Sequence, residues 1–324
     1  MPNKAHLYRL KNLGLPAIES IEGFADKTRI SLEKIKYISY RSGHLYKVYE
    51  IPKINGKKRR IAQPNRELKA VQSWILRNIL DKLSTSEHCK GFETGTSILD
   101  NAVPHVDSNY VLTVDLEDFF QSVKASSVYR IFNSIGYNKQ VSSILTNICT
   151  SDGGLPQGAP TSPKLANLAC AKLDSRVHGY AGQKGIVYTR YADDITLSAQ
   201  TPKKIYNAKQ FIGTIISDEG FAINKAKTRI SGTRSQKKIT GLILSENRAG
   251  IGRNKYREIR CKIHYLFVGK NKDYSHVNGL LSFTYSVDKK AYKKLYSYIK
   301  MLKNTYSDSK AGDLLVAEIT KIPA

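Results

Sequence analysis

Two acidic stretches stand out in a chain dominated by positive charge. One is Tyr-Ala-Asp-Asp at 191–194, where Asp193 and Asp194 sit side by side between two short apolar β-like runs. The other, Val-Asp-Leu-Glu-Asp-Phe-Phe at 114–120, closes an apolar run with Asp115, Glu117 and Asp118. A single acidic tip is ordinarily a solvated turn. Two acidic strand ends, with Asp115 and Asp193 78 residues apart, meet if their strands are neighbours in one sheet. Carboxylates gathered in that way repel unless a cation neutralises them. Mg²⁺ is the expected cation, a hard ion that takes a few carboxylates, waters and substrate phosphate oxygens. Two such ions about 3.5–4 Å apart activate an attacking hydroxyl and stabilise a leaving pyrophosphate. Nucleotidyl transfer is the chemistry that suits this pattern.

The overall charge points the same way. Lys and Arg number 52 against 27 Asp and Glu, a net charge of +25. Such an excess repels itself in the folded state and suits a polyanionic partner. A basic protein without such a partner, or one drawn to an anionic membrane surface, is the competing reading. The 20 tyrosines interleaved with the positive charge favour nucleic acid, since bases stack on aromatic faces while cations hold phosphates. No apolar run approaches the roughly 18 residues that span a bilayer, and no membrane partner is expected. The N-terminal stretch lacks the pattern of a signal peptide, so a cytoplasmic location is expected. Four scattered cysteines without a C-x-x-C pair argue against a zinc site or a disulfide scaffold.

The elements that must position the acids can be read from periodicity. Residues 28–40 read as a helix with Ser31 at its N-cap. Residues 46–64 read as a hairpin turning at Asn55-Gly56, and its second strand opens with the cations Lys57, Lys58, Arg59 and Arg60. Residues 65–83 have helical apolar spacing at Leu68, Val71, Ile75, Ile79 and Leu83. A buried strand is expected at 110–116, and a helix at 162–177 with Ser162 as N-cap and Pro163 at the first helical position, N1. A hairpin follows at 186–199 and a helix at 203–217. Residues 246–324 hold 16 Lys or Arg, 7 Asp or Glu and 8 Tyr, and read as mostly helical. The last eighteen residues are weakly patterned.

Taken in order, "VDLEDFF", "LPQGAPTSP" (155–163), "YADD", "GFAINKAKT" (220–228) and "ITGLIL" (239–244) resemble the reverse transcriptases. The resemblance runs from the 57–64 ribbon to the end of the chain, about 270 residues. It implies an α+β right-hand polymerase. Fingers with an N-terminal extension would come from 1–108 and 124–158, a catalytic palm from 109–123 and 159–243, and a helical thumb from 244–324. It also implies that Asp115, Asp193 and Asp194 bind the metal, Asp194 with the least direct coordination. Phe120 matches the bulky steric gate that excludes a ribose 2′-hydroxyl. Gln157 and Gly158 match the loop lining the incoming nucleotide. Arg59, with Lys58 and Arg60 as rivals, matches the clamp on the dNTP triphosphate. Lys225 or Lys227 matches a lysine near the active site, and Thr240, Gly241 and Leu242 match the primer grip.

Within that family, "NAVPH" (101–105) and "ITG" (239–241) are similar to N-A-x-x-H and V-T-G motifs of bacterial retron enzymes. Neither a protease, an integrase nor an RNase H segment is expected. The retron resemblance implies a cognate structured non-coding RNA, priming from an RNA 2′-OH, a branched single-stranded DNA product, and a role in anti-phage defence with a separate effector protein. Asn101, His105, Tyr256, Arg257 and Arg260 are candidate RNA contacts. A group II intron-type enzyme and a non-catalytic RNA-binding protein with a polymerase fold are the alternatives. An RNA-dependent RNA polymerase is a further one, opposed by Phe120.

Overall fold

Val111, Leu112, Val114 and Leu116 are all buried, so the run that contains them has water on neither face and must lie inside a sheet. The computed structural model, which describes residues 4–52, 56 and 58–319, makes this run the central strand. In chain order the strands are β1 (Tyr46–Pro52), β2 (Lys58–Pro64), β3 (Tyr110–Glu117), β4 (Val187–Tyr191), β5 (Asp194–Ala199), β6 (Ala222–Ile223), β7 (Arg229–Ser231), β8 (Lys238–Ile239), β9 (Leu242–Ser245) and β10 (Arg248–Gly250). The main sheet runs β4-β5-β3-β6, with β7 also paired to β3. All its pairings are antiparallel.

The sheet is backed by the Pro202–Asp218 helix, whose Ile205, Ala208, Ile212, Ile215 and Ile216 are buried on β3 and β5. Burying each Ile stabilises the fold by about 1.5–3 kcal/mol. The helical run expected at 162–177 is two helices, Ser162–Ala169 and Ala171–Gln183. Thr161 rather than Ser162 is the N-cap, because the Ser162 hydroxyl donates to the Pro156 carbonyl at 2.7 Å. That bond ties the helix to the loop before it.

Asn65 caps the Arg66–Asn78 helix by accepting from Leu68 N at 2.8 Å. The helix expected at 28–40 is Leu32–Arg41, following a separate Ile21–Thr28 helix, and Ser31 stands at its N-cap without a side-chain cap bond. β1 and β2 form their own ribbon, paired from Tyr46↔Pro64 to Pro52↔Lys58. Gly56 at its tip has φ +77, whereas Asn55 and Lys57 of the expected turn lie outside the described residues.

Two cores result. One gathers buried side chains from Leu10 to Phe221. The second begins with Ile239 and Leu242 and is filled by the helices Gly252–Phe267, Tyr274–Val287, Lys289–Thr305 and Lys310–Ile319. The last of these falls in the weakly patterned tail, where Leu315 is fully buried. Ala102 and Val111 also belong to this second core, and Ile98, Leu99 and Val106 pack on it.

Candidate active site

β3 and β5 place Asp115 directly opposite Asp194, so both side chains leave the same face of the sheet. β4 and β5 are joined by the two-residue turn Ala192-Asp193, since Tyr191 pairs with Asp194. Ala192 holds φ +57, a left-handed conformation that costs a non-glycine residue on the order of 1–3 kcal/mol. The turn is pinned because Leu116 N donates to the Asp193 carbonyl at 2.9 Å. The 224–227 turn closes the group from the other side. Asn224 N donates to the Asp115 carbonyl at 2.9 Å, and Lys227 Nζ donates to both Asp115 carboxylate oxygens at 2.9 and 2.7 Å.

Burial, reinforced by the charge of Asp115, raises Asp193 above the ordinary carboxylate range. Burial followed by the charges of Asp193 and Asp115 pushes Asp194 up to about 6. The hydrogen bond to Asp115 raises Lys227 in turn. Among the described residues no three His, Cys, Asp or Glu side chains are grouped closely enough to hold a metal ion as they stand, and the Lys227 ammonium occupies the carboxylate of Asp115. The donor set nevertheless fits a divalent cation, with hard oxygen ligands whose mutual repulsion a positive ion would relieve.

Behind the turn lies a buried frame. Arg190 has no exposed surface. Its Nε and Nη2 donate to the two carboxylate oxygens of Asp174, each at 2.7 Å, and Nη1 donates to Asn167 Oδ1 and the Ala192 carbonyl, each at 3.1 Å. Tyr188 OH also donates to Asp174 at 2.6 Å. Asp174, likewise without exposed surface, therefore has its lone pairs taken up, as a buried charge requires.

The nucleotide-side residues form a chain of backbone contacts. Leu155 N donates to the Phe120 carbonyl at 3.2 Å, and Ala62 N on β2 donates to the Gln157 carbonyl at 2.9 Å. Gly158 has φ +135, and a Cβ there would stand 2.7 Å from the Ala62 carbonyl oxygen, so only glycine fits that approach. Lys58 pairs with Glu50 at 2.8 Å and Arg60 with Asp152 at 3.0 Å. Arg59 points to the other face of β2, and its charge acts on Asp193.

A family model described as reverse transcriptase (RNA-dependent DNA polymerase) matches residues 51–244. Among solved structures, a telomerase from Candida albicans aligns with TM-score 0.49 at 13% identity, over 86% of this chain and 61% of that one. Retron Mx162 reverse transcriptase of Myxococcus xanthus is 30% identical over 92% of this chain and 70% of its own. Retron Ec86 reverse transcriptase of Escherichia coli is 52% identical over 301 residues, 92% of this chain and 94% of that one. The chain belongs to the bacterial retron reverse transcriptases.

It is thus an RNA-directed DNA polymerase of a retron with the right-hand fold, and enzymes of this family depend on a divalent metal. The retron relatives favour this reading over the group II intron alternative. In the reverse transcriptase both Lys225 and Lys227 are exposed, and it is Lys227 that bonds Asp115 in the acidic cluster. Thr240 and Gly241 form the turn between β8 and β9, with φ +43 and +90, and Leu242 is buried.

Asn101 and His105 correct the expectation of RNA contact, since neither has exposed surface. His105 bonds Ser198 Oγ through Nδ1 at 2.7 Å and Thr189 Oγ1 through Nε2 at 2.8 Å. Burial depresses it to about 3, so the ring is neutral. Thr189 Oγ1 donates to the Asn101 carbonyl and Ser108 Oγ donates to Ser198 Oγ, an order that assigns the proton to Nε2. Asn101 Nδ2 reaches Thr240 Oγ1 at 3.5 Å. The "NAVPH" segment is therefore an internal bracket between the catalytic hairpin and the second core. On the Gly252–Phe267 helix, Tyr256 is half-buried against that core, Arg257 is exposed, and Arg260 lies 4.3 Å over the Tyr298 ring.

Sequence reasoning missed Arg190, Asp174 and Asn167. No local signal was available, since the run Val187–Tyr191 mixes polar and apolar residues and buries Tyr188, Thr189 and Arg190 in succession.

Proposed function

We propose that this reverse transcriptase copies part of a cognate structured non-coding RNA into single-stranded DNA. Synthesis starts from an RNA 2′-OH, leaves a branched RNA–DNA product, and serves anti-phage defence with a separate effector protein. The observation that carries the reading is the 52% identity to a retron enzyme across nearly the whole of both chains, together with a complete acidic cluster at the β3–β5 edge.

Asp115, Asp193 and Asp194 would hold the metal, two Mg²⁺ ions in this reading, which supply Lewis-acid polarisation of phosphate and hydroxyl oxygens. Arg59 draws the triphosphate of a dNTP toward the cleft, and Gln157 with Gly158 lines the nucleotide. Phe120 bars the ribose 2′-hydroxyl. Lys227, already proton-rich beside Asp115, is placed to give a proton to leaving pyrophosphate. The Thr240–Leu242 turn supports the primer strand, and the cationic, tyrosine-bearing helices of the thumb hold RNA. Fingers 1–108 and 124–158, palm 109–123 and 159–243, and thumb 244–324 are the divisions that go with these roles. Among the described residues no helix is long and apolar enough to cross a membrane.

Expression with native flanking DNA, followed by analysis of the co-purified nucleic acid, tests the proposal. A short single-stranded DNA that shifts after 2′–5′ debranching, and is absent from Asp193→Ala, is the expected result. Bound RNA without DNA in both proteins would contradict it.

A further inference from the structure

Residues 88–96 run alongside the catalytic hairpin. Arg190 N donates to the His88 carbonyl at 2.8 Å and Lys90 N to the Arg190 carbonyl at 2.7 Å, which adds Cys89 to β4 as a parallel bridge. Gly91 then passes so close to the acidic turn that a Cβ would lie 2.6 Å from Ala192 N. Its carbonyl accepts from Asn167 Nδ2 at 2.8 Å. Glu93 is held by Asn167 Nδ2 at 2.8 Å and Lys164 Nζ at 2.6 Å. Thr96 Oγ1 donates to the carbonyls of Lys90 and Glu93 at 2.9 and 3.0 Å.

Between these fixed points stands Phe92. Its φ is +62, a region that a bulky side chain enters only under strain. The residue is 48% exposed, so little core burial offsets that strain. The surrounding frame nonetheless holds it there, which is the condition under which backbone strain accompanies a function. The ring is not without a partner. Its centroid lies 6.1 Å from that of Phe120 at a tilt of 40°, and Phe120 touches Phe119 as well, at 5.5 Å.

A side chain excludes a hydroxyl only if it cannot swing aside. Phe120 is half-buried, and without a second ring against it an alternative rotamer becomes accessible. We propose that Phe92 is a positioning residue for deoxyribonucleotide selection: its ring holds the Phe120 ring where it bars the ribose 2′-hydroxyl. The inference rests on the reading of Phe120 as the steric gate. The strained backbone at 92 places the ring against the gate, and the Asn167–Glu93–Lys164 bonds keep it there. Asn167 also bonds Arg190, so the gate's support and the acidic turn share one frame.

The test is single-nucleotide primer extension on a generic RNA template, with dNTP and rNTP measured separately and the ratio of their kcat/KM compared. Wild type, Phe92→Ala, Phe92→Gly, Phe120→Ala and the Phe92→Ala/Phe120→Ala double variant are used. Both Phe92 variants are expected to lower the deoxy-over-ribo ratio by about two- to tenfold, the scale of one aromatic pair, chiefly through increased rNTP incorporation. Phe120→Ala lowers it more, and the double variant matches Phe120→Ala because Phe92 acts through that ring. Phe92→Gly relieves the left-handed strain, so its melting temperature separates lost selectivity from lost folding. An unchanged ratio in both Phe92 variants, with a reduced one in Phe120→Ala, overturns the role of Phe92 alone. A parallel fall in dNTP and rNTP incorporation in the Phe92 variants also overturns it. An unchanged ratio in Phe120→Ala overturns the gate reading itself.

Discussion

The acidic turn and the C-terminal helices both rely on cations, and they use them in opposite ways. At the turn a single guanidinium, fully buried, satisfies Asp174, Asn167 and the Ala192 carbonyl at once. On the C-terminal helices, Arg260, Lys289 and Lys300 lie over Tyr298, Tyr285 and Tyr296 at 4.3, 5.5 and 4.6 Å. Removing one partner of a buried pair leaves an uncompensated charge and costs about 3–5 kcal/mol. An exposed cation–π contact contributes about 0.5–1 kcal/mol. The frame behind the turn is therefore built from a few interdependent groups, whereas the C-terminal helices carry contacts that can be lost singly.

The largest expected effect is in the cleft itself. Asp193→Ala should abolish primer extension while RNA binding, measured by filter retention, stays near wild type; retained polymerisation would remove the metal-site reading. Next comes the frame. Arg190→Met should destabilise the fold by about 3–5 kcal/mol, seen as a lower melting temperature, and should reduce extension even at temperatures where the variant is folded. His105 gives an intermediate, pH-dependent effect. Burial holds the folded-state value near 3, while an unfolded imidazole titrates near 6.5. The unfolded chain therefore binds the extra proton between those values, and stability falls as the pH drops below about 6.5, by at most about 1.4 kcal/mol per pH unit from this group. Denaturant titrations at several pH values should show that slope flattened in His105→Gln, and an unchanged slope would contradict the neutral buried ring. The smallest effect should be Arg260→Ala, worth about 0.5–1 kcal/mol in stability, with extension retained. A loss there as large as that of Arg190→Met would erase the contrast between the two regions.

The acids were legible because their types are unusual where they stand: carboxylates at the ends of apolar strands, in a chain of net charge +25. The helices on the sheet were legible from spacing alone, apart from the break at Cys170 between Ala169 and Ala171. Lys227 could not be separated from Lys225 until the turn at Asn224 showed which of them bends back to Asp115. Asn101 and His105 were misread for a physical reason. Polar residues around a proline look like an exposed turn, and only distant partners at Thr189, Ser198 and Thr240 convert them into interior groups. Arg190 was hidden likewise, since nothing local distinguishes an arginine that leaves a strand toward water from one that enters the core.

Strand β3 carries Asp115 in the middle of a sheet whose other strands all come later in the chain: β4, β5, β6 and finally β7, which ends at Ser231. During synthesis Asp115 is thus made long before anything can pair with its strand. At roughly 5–20 residues per second, translation from Asp115 to Ser231 lasts on the order of ten seconds. Throughout that interval the strand that carries Asp115 still has an open edge. The acidic cluster, and the turn that brings Lys227 onto Asp115, can therefore assemble only once residues 187–231 have been made.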